Sequence, residues 1–173
     1  MHKICFFKKI KRNLCSCRFD GKIVLTCVFC VLFFGLLSRF LCRPPYLTLR
    51  MLGLRSISPP PFLMSIIWTF WYALVGFCLG AVLSCKVSGK QVHVYKGSMY
   101  LIVSLVFNLV WYPLFFGGNA FFLAFWNCLI IMFFTILAAF EYLRVYVFAG
   151  VCMFMHTAWL VYCTVLNAFA LFC

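Results

Sequence analysis

A chain of 173 residues that is 67% hydrophobic and 21% aromatic but only 10% charged has too little polar surface to cover a water-soluble domain of its size. Its formal net charge of +13 rests on 15 Lys and Arg against Asp20 and Glu141, and the cations stand outside the long apolar runs, where anionic lipid head groups can meet them. Scattered over membrane-flanking segments, they form no single groove for nucleic acid, so the composition predicts an all-α integral membrane protein and speaks against a nucleic-acid partner.

In chain order, residues 1–22 form a basic extension carrying Lys3, Lys8, Lys9, Lys11, Arg12, Arg18 and Lys22. The first apolar run, 23–41, ends in Ser38-Arg39-Phe40-Leu41-Cys42-Arg43 without a small-x-small cleavage site, which predicts a retained transmembrane helix and not a secretory signal. Residues 42–61 hold Arg43, Arg50, Arg55 and five of the six prolines. A connection of about twenty residues is long for a helix pair and reads as a lid or binding loop, with Tyr46 to Leu54 as a short interfacial helix over one mouth of the bundle.

The second span, 62–83, places Trp68, Tyr72, Val75 and Gly76 on one helical stripe. Gly76 and Gly80, four apart, have the spacing that lets two membrane helices approach closely. Residues 84–97, with Lys86, Lys90, His93 and Lys96, read as a break in water. The third span, 98–116, runs into Asn108-Leu-Val-Trp-Tyr-Pro-Leu-Phe-Phe-Gly-Gly118, a tight corner at one membrane face. There Pro113 removes a backbone donor, and Gly117 and Gly118 are expected to supply the positive φ values that end the helix.

The fourth span, 120–142, contains Trp126 and Asn127 and ends at Glu141, three residues from Arg144, close enough for the two to pair at the interface, although a solvated helix end is the preferred reading. The fifth, 145–173, carries His156, Trp159, Tyr162, Thr164 and Asn167 in an otherwise apolar run, and polar groups in hydrocarbon need partners inside the bundle. Five spans put the termini on opposite faces. Eleven Lys and Arg then share the face of the N-terminus against four on the other, which orients the N-terminus toward the cytoplasm or an equivalent compartment.

Of the twelve cysteines, Cys27, Cys30, Cys78, Cys128, Cys152, Cys163 and Cys173 fall in apolar segments and read as small hydrophobes. Cys27-x-x-Cys30 has no second pair or His close in sequence to complete a metal site, and no metal is predicted. Cys15 and Cys17, in a basic segment beside a membrane boundary, are candidates for S-acylation. Two carboxylates far apart in sequence, and no Ser, His and Asp arrangement, leave no hydrolytic constellation, so no catalytic residue is assigned.

Three blocks of residues resemble the TspO/MBR family, the tryptophan-rich sensory and translocator proteins. Pro60-Pro61-Phe62 followed by Ile67-Trp68-Thr69-Phe70-Trp71-Tyr72 and Gly76 is similar to the family's first loop and second helix. Asn108-Leu-Val-Trp111-Tyr-Pro113-Leu-Phe115-Phe116-Gly117 resembles its N-x-x-W-x-P-x-F-F-G, and Ala158-Trp159-Leu160 with Tyr162, Thr164 and Leu166-Asn167 resembles the fifth-helix block. The blocks keep their order and approximate spacing. Phe62 stands where the family's loop Trp is expected and Ile66 where it has Pro, and the chain after Asn167 lacks the basic residue of the sterol-associated pattern.

The resemblance implies a five-helix bundle, often a homodimer, with an intramembrane pocket for porphyrin, haem-type tetrapyrroles or similar lipophiles, and no required cofactor. Carried over by position, the pocket includes Trp68, Tyr72, Asn108, Trp111, Trp159 and Leu166, with Arg43, Arg50 and Arg55 in the loop as contacts for propionates. The function implied is tetrapyrrole sensing or transport. The alternative is a weak light-dependent porphyrin-degrading enzyme in which Trp68 and Trp159 do the chemistry. His156, three residues before Trp159, reads either as a metalloporphyrin ligand or as a hydrogen-bonded interior imidazole. A bacterial plasma membrane and an organelle membrane fit the sequence equally.

Overall fold

A hydrophobic segment in a bilayer must satisfy its backbone internally, and helices achieve this within one segment. The computed structural model describes residues 20–40, 58–85 and 89–172; Cys15, Cys17, Arg43, Arg50, Arg55 and the expected interfacial helix lie outside them. The helices are α1 (Gly21–Phe40), α2 (Pro61–Ser84), α3 (Gln91–Tyr112), α4 (Phe121–Val145) and α5 (Val147–Phe172). All five are long and apolar enough to cross a membrane, so the chain is an integral, multi-pass membrane protein.

The neighbours define a ring. α1 packs along α2, α2 meets α5, α5 packs along α4, α4 along α3, and α3 closes against α1, while α2 and α3 approach each other at only a few points. The α1–α2 seam is built on the glycine pair: a Cβ on Gly76 would lie 2.7 Å from Val28 Cα, and one on Gly80 would lie 2.5 Å from Val24 Cα. Bare backbone is what allows the two helices to touch there. The outer face of α1, with Leu25, Phe29, Phe33 and Leu36, is exposed and suited to lipid.

The largest departures from the expected boundaries are at the two ends of α3. α3 begins at Gln91 instead of residue 98, with Val94 and Gly97 already buried. The polar residues of 91–97 mark where the helix leaves the hydrocarbon, and a helix need not end there. These roughly two extra turns carry His93 to α4, where its Nδ1 is 2.6 Å from Glu141 Oε2; Arg144 Nη1 is at 3.8 Å. Glu141 therefore has a closer partner on another helix than Arg144, the partner that spacing allows.

The α3–α4 corner is also built differently. Pro113–Gly117 is a single π turn, in which Gly118 N–H donates to Pro113 O at 2.9 Å and Ala120 N–H to Leu114 O at 2.9 Å. Gly118 has φ −98, and the positive φ falls on Asn119 at 48. With no donor at Pro113 the ladder widens by one residue. The chain has then already swung round when it reaches Asn119, whose short polar side chain tolerates the left-handed region. At the opposite face Tyr146 alone separates α4 from α5, in extended conformation.

Buried side chains form two clusters, one toward each membrane face. Val75, Cys78, Val82, Leu101, Tyr142 and Met153 belong to the first; Trp111, Phe115, Phe116, Ala124, Cys128, Ile131 and Leu160 belong to the second, beneath the α3–α4 corner. Cys27, Cys30, Cys78, Cys128, Cys152 and Cys163 are free thiols, as expected of small hydrophobes, whereas Cys85 is disulfide-bonded.

Candidate functional site

The second cluster is assembled from the ends of four helices. α2 starts with Pro at its first position, where the missing donor costs nothing because no helical acceptor precedes it. Trp68 follows two turns later. Its indole is the hub: ring centroids lie 5.7 Å from Tyr72 at 30° between planes, 5.8 Å from Trp111 at 34°, and 6.1 Å from Trp159 at 81°. Three helices that share few backbone contacts thus meet through aromatic faces and edges, the arrangements their quadrupoles favour.

Polar side chains lock two of these rings. Tyr72 Oη donates to Asn108 Oδ1 at 2.5 Å, linking α2 to α3. Trp111 Nε1 donates to Asn167 Oδ1 at 3.1 Å, linking α3 to α5, and Asn167 Nδ2 donates back to Cys163 O at 2.7 Å. Asn127 Nδ2 donates to Phe107 O at 2.9 Å, tying α4 to α3. With its N–H engaged, Trp111 is buried and lies stacked on Phe115 at 5.5 Å and 26°. Gly35 of α1 leaves room for the other plate, since a Cβ there would fall 2.5 Å from the Tyr72 ring.

Of the residues singled out by sequence, Trp68, Tyr72, Trp111 and Trp159 are in ring contact, and Asn108 joins them through Tyr72. Leu166 is buried on α5 next to Asn167. Arg43, Arg50 and Arg55 lie outside the described residues. Asn167 was missing from the predicted site although the sequence offered its signal: an amide deep in an apolar helix must find a partner. The contact of Trp71 with His156, at 5.1 Å between ring centroids, was also missed. His156 is 7% exposed and its Nδ1 has no hydrogen-bond partner, which departs from the hydrogen-bonded imidazole expected as one reading.

Chemically the site is uncharged. No Asp, Glu, Lys or Arg occurs between Lys96 and Glu141 or after Arg144, and among the described residues no three His, Cys, Asp or Glu side chains gather as metal ligands. What α2 to α5 offer at this end is indole and phenol surface, three amides and an imidazole. Such a set binds flat apolar surface by dispersion and π contact, orients it by a few hydrogen bonds, and supplies no carboxylate or Lys for acid–base catalysis. No curated protein matches the chain. The model of the TspO/MBR family matches residues 23–172.

Proposed function

This chain belongs to the TspO/MBR family, membrane proteins of sensory or transport type, and from that footing we propose that it binds a porphyrin or a related tetrapyrrole within the bilayer, where α2, α3 and α5 meet. The observation that carries the reading is the position of Trp68 at the centre of Tyr72, Trp111 and Trp159, contributed by three helices. A planar macrocycle placed against these plates exchanges lipid contacts for denser aromatic ones. Ring systems already held by Asn108 and Asn167 lose little freedom when it arrives. One of the ligand's propionates then faces the preceding loop, whose Arg43, Arg50 and Arg55 are the proposed source of charge-assisted hydrogen bonds.

The test is quenching of tryptophan fluorescence by protoporphyrin IX in the dark, on the detergent-purified chain and on the Trp68→Phe, Trp159→Phe double variant. Saturable quenching that weakens in the double variant supports the site. Linear quenching, or a saturation curve unchanged apart from the loss of two fluorophores, removes it.

A second reading is favoured by one contact. Trp68 and Trp159 meet edge to face at 6.1 Å, so an electron drawn from one indole by photo-excited porphyrin can be shared with the other, with dioxygen as terminal oxidant. In that case illumination bleaches the bound porphyrin only in the presence of oxygen, and Trp68→Phe stops it.

A further inference from the structure

Buried polar side chains in this bundle are almost all paired. Ser104 bonds Thr135 at 2.8 Å; Asn127 bonds Phe107 O; Asn167 bonds both Trp111 and Cys163 O; and Thr157 and Thr164 return their hydroxyls to the carbonyls of Met153 and Leu160. Among the described residues four buried side-chain atoms lack a partner: Ser98 Oγ, Tyr142 Oη, His156 Nδ1 and Trp159 Nε1. The first two belong to residues that interact with each other, and each hydroxyl can donate to or accept from the other. The other two have no such remedy, because both nitrogens sit on rigid rings.

Their placement is not random. His156 and Trp159 are three apart on α5 and so share one face. Both turn it toward α2, where Trp71 meets His156 at 5.1 Å and Trp68 meets Trp159 at 6.1 Å. One step of three residues forward along α2 is matched by three back along α5, as antiparallel neighbours require. Two unpaired nitrogens therefore stand one turn apart on the same seam, flanked by the indoles of the proposed site.

Trp159 Nε1–H can only donate, and the imidazole donates through Nδ1 in one of its two tautomers. An oxygen with two lone pairs satisfies both at once. Helix backbone does not supply it, since the carbonyls here are engaged within α2 and α5. At this depth a charged carboxylate is costly and a neutral carbonyl is not. Resting on the tetrapyrrole reading above, we propose that His156 Nδ1 and Trp159 Nε1 form one hydrogen-bonding subsite on the α2–α5 seam that takes a neutral carbonyl oxygen borne by the ligand. His156 is then a specificity-determining residue, selecting macrocycles with a carbonyl substituent over bare hydrocarbon ones.

The experiment titrates the full chain in detergent, in the dark, with protoporphyrin IX dimethyl ester and with octaethylporphyrin. Both are neutral macrocycles, and only the first carries carbonyl oxygens. Wild type and His156→Phe are compared by the ratio of the two affinities, which cancels any difference in detergent partition. The Phe ring keeps the packing against Trp71 and removes Nδ1. The ester-to-octaethyl ratio is expected to fall about tenfold in His156→Phe, through weaker ester binding alone. Because the imidazole nitrogen is unpaired before ligand arrives, the ligand-free variant melts at or above the wild-type temperature.

A ratio unchanged by His156→Phe, with both porphyrins still bound, overturns the subsite and leaves the tetrapyrrole site standing. A ligand-free variant that melts well below wild type also overturns it, since the nitrogen then has a structural partner. Failure of either porphyrin to bind wild type overturns the tetrapyrrole reading and the subsite with it.

Discussion

Tyr72 reaches from α2 to Asn108 on α3 with a 2.5 Å hydrogen bond, across a pair of helices at the site that scarcely touch through their backbones. The bond does what packing does elsewhere in the ring. Tyr72→Phe removes the donor and leaves Asn108 Oδ1 buried without a partner, at a cost of about 1–3 kcal/mol in a folded protein. The outcome expected is a lower unfolding midpoint for Tyr72→Phe and a smaller additional loss when Asn108→Leu is added, because the second change removes the orphaned amide. Additive losses in the double-variant cycle would count against the bond.

Trp68 and Trp111 should separate ligand binding from stability. Trp111 is 7% exposed, stacked on Phe115 and bonded to Asn167, so Trp111→Leu combines lost packing with an unpaired amide and costs about 3–5 kcal/mol by analogy with other buried aromatics. Trp68 is only partly buried. Trp68→Leu is expected to cost less than half of that while weakening porphyrin quenching more than any other single change in the cluster. Paired thermal melts and titrations read both effects. A Trp68 variant as unstable as the Trp111 one would assign both rings to the core alone.

At the α1–α2 seam the prediction is steric. A Cβ at Gly80 would sit 2.5 Å from Val24 Cα, a backbone atom that cannot rotate away, and one at Gly76 would sit 2.7 Å from Val28 Cα. Gly80→Ala and Gly76→Ala each push α1 off α2 and lose about 1–3 kcal/mol, the usual cost of overpacking. Gly118→Ala, whose nearest neighbour would be 3.8 Å away at a φ of −98, serves as the neutral control. Melting temperatures of the three variants in one detergent decide the matter.

Five spans and the glycine seam were legible in the sequence, because length in hydrocarbon and four-residue spacing are local properties; a helical stripe joined Trp68 to Tyr72, and only the family resemblance implied that Asn108, Trp111 and Trp159 come to them from other helices. The start of α3 was not legible. Hydropathy reports where a helix leaves the lipid, and Gln91 to Gly97 continue the helix in a polar setting that propensity alone does not forbid. The partner of Glu141 was missed for a related reason: Arg144 is near in sequence, whereas His93 comes within 2.6 Å only once α3 and α4 pack side by side. Asn167 shows the same limit, since sequence can say that a buried amide needs a partner without saying that it is Trp111.

The corner after Pro113 allows a backbone test. Asn119 has φ 48, a conformation that costs an ordinary L-residue about 1–2 kcal/mol and glycine almost nothing. Asn119→Val is expected to destabilise the chain by about that amount, more because the β-branch crowds the left-handed region. Asn119→Gly should be neutral to within a few tenths, with relief of strain set against a more flexible unfolded chain. A neutral Asn119→Val would place the positive φ elsewhere in the corner.

Two side chains, His93 and Arg144, flank Glu141 at different distances. His93 lies at 2.6 Å and belongs to a different helix; Arg144 lies at 3.8 Å, one turn along the same helix, with a side chain 60% exposed. Solvent-exposed pairs within one helix contribute about 0.3–0.5 kcal/mol or nothing measurable. A shorter contact between helices, to a carboxylate only 15% exposed, is screened less by water and salt. Loss of the α3–α4 tie in His93→Leu should therefore lower stability more than Arg144→Leu, by about 0.5–1 kcal/mol after discounting for the partial exposure of His93. Urea or thermal unfolding of both variants, with Glu141→Gln as common background, isolates the two pair terms. If the Arg144 term proves the larger, the turn of α3 beyond the hydrocarbon is not docked on α4 in solution.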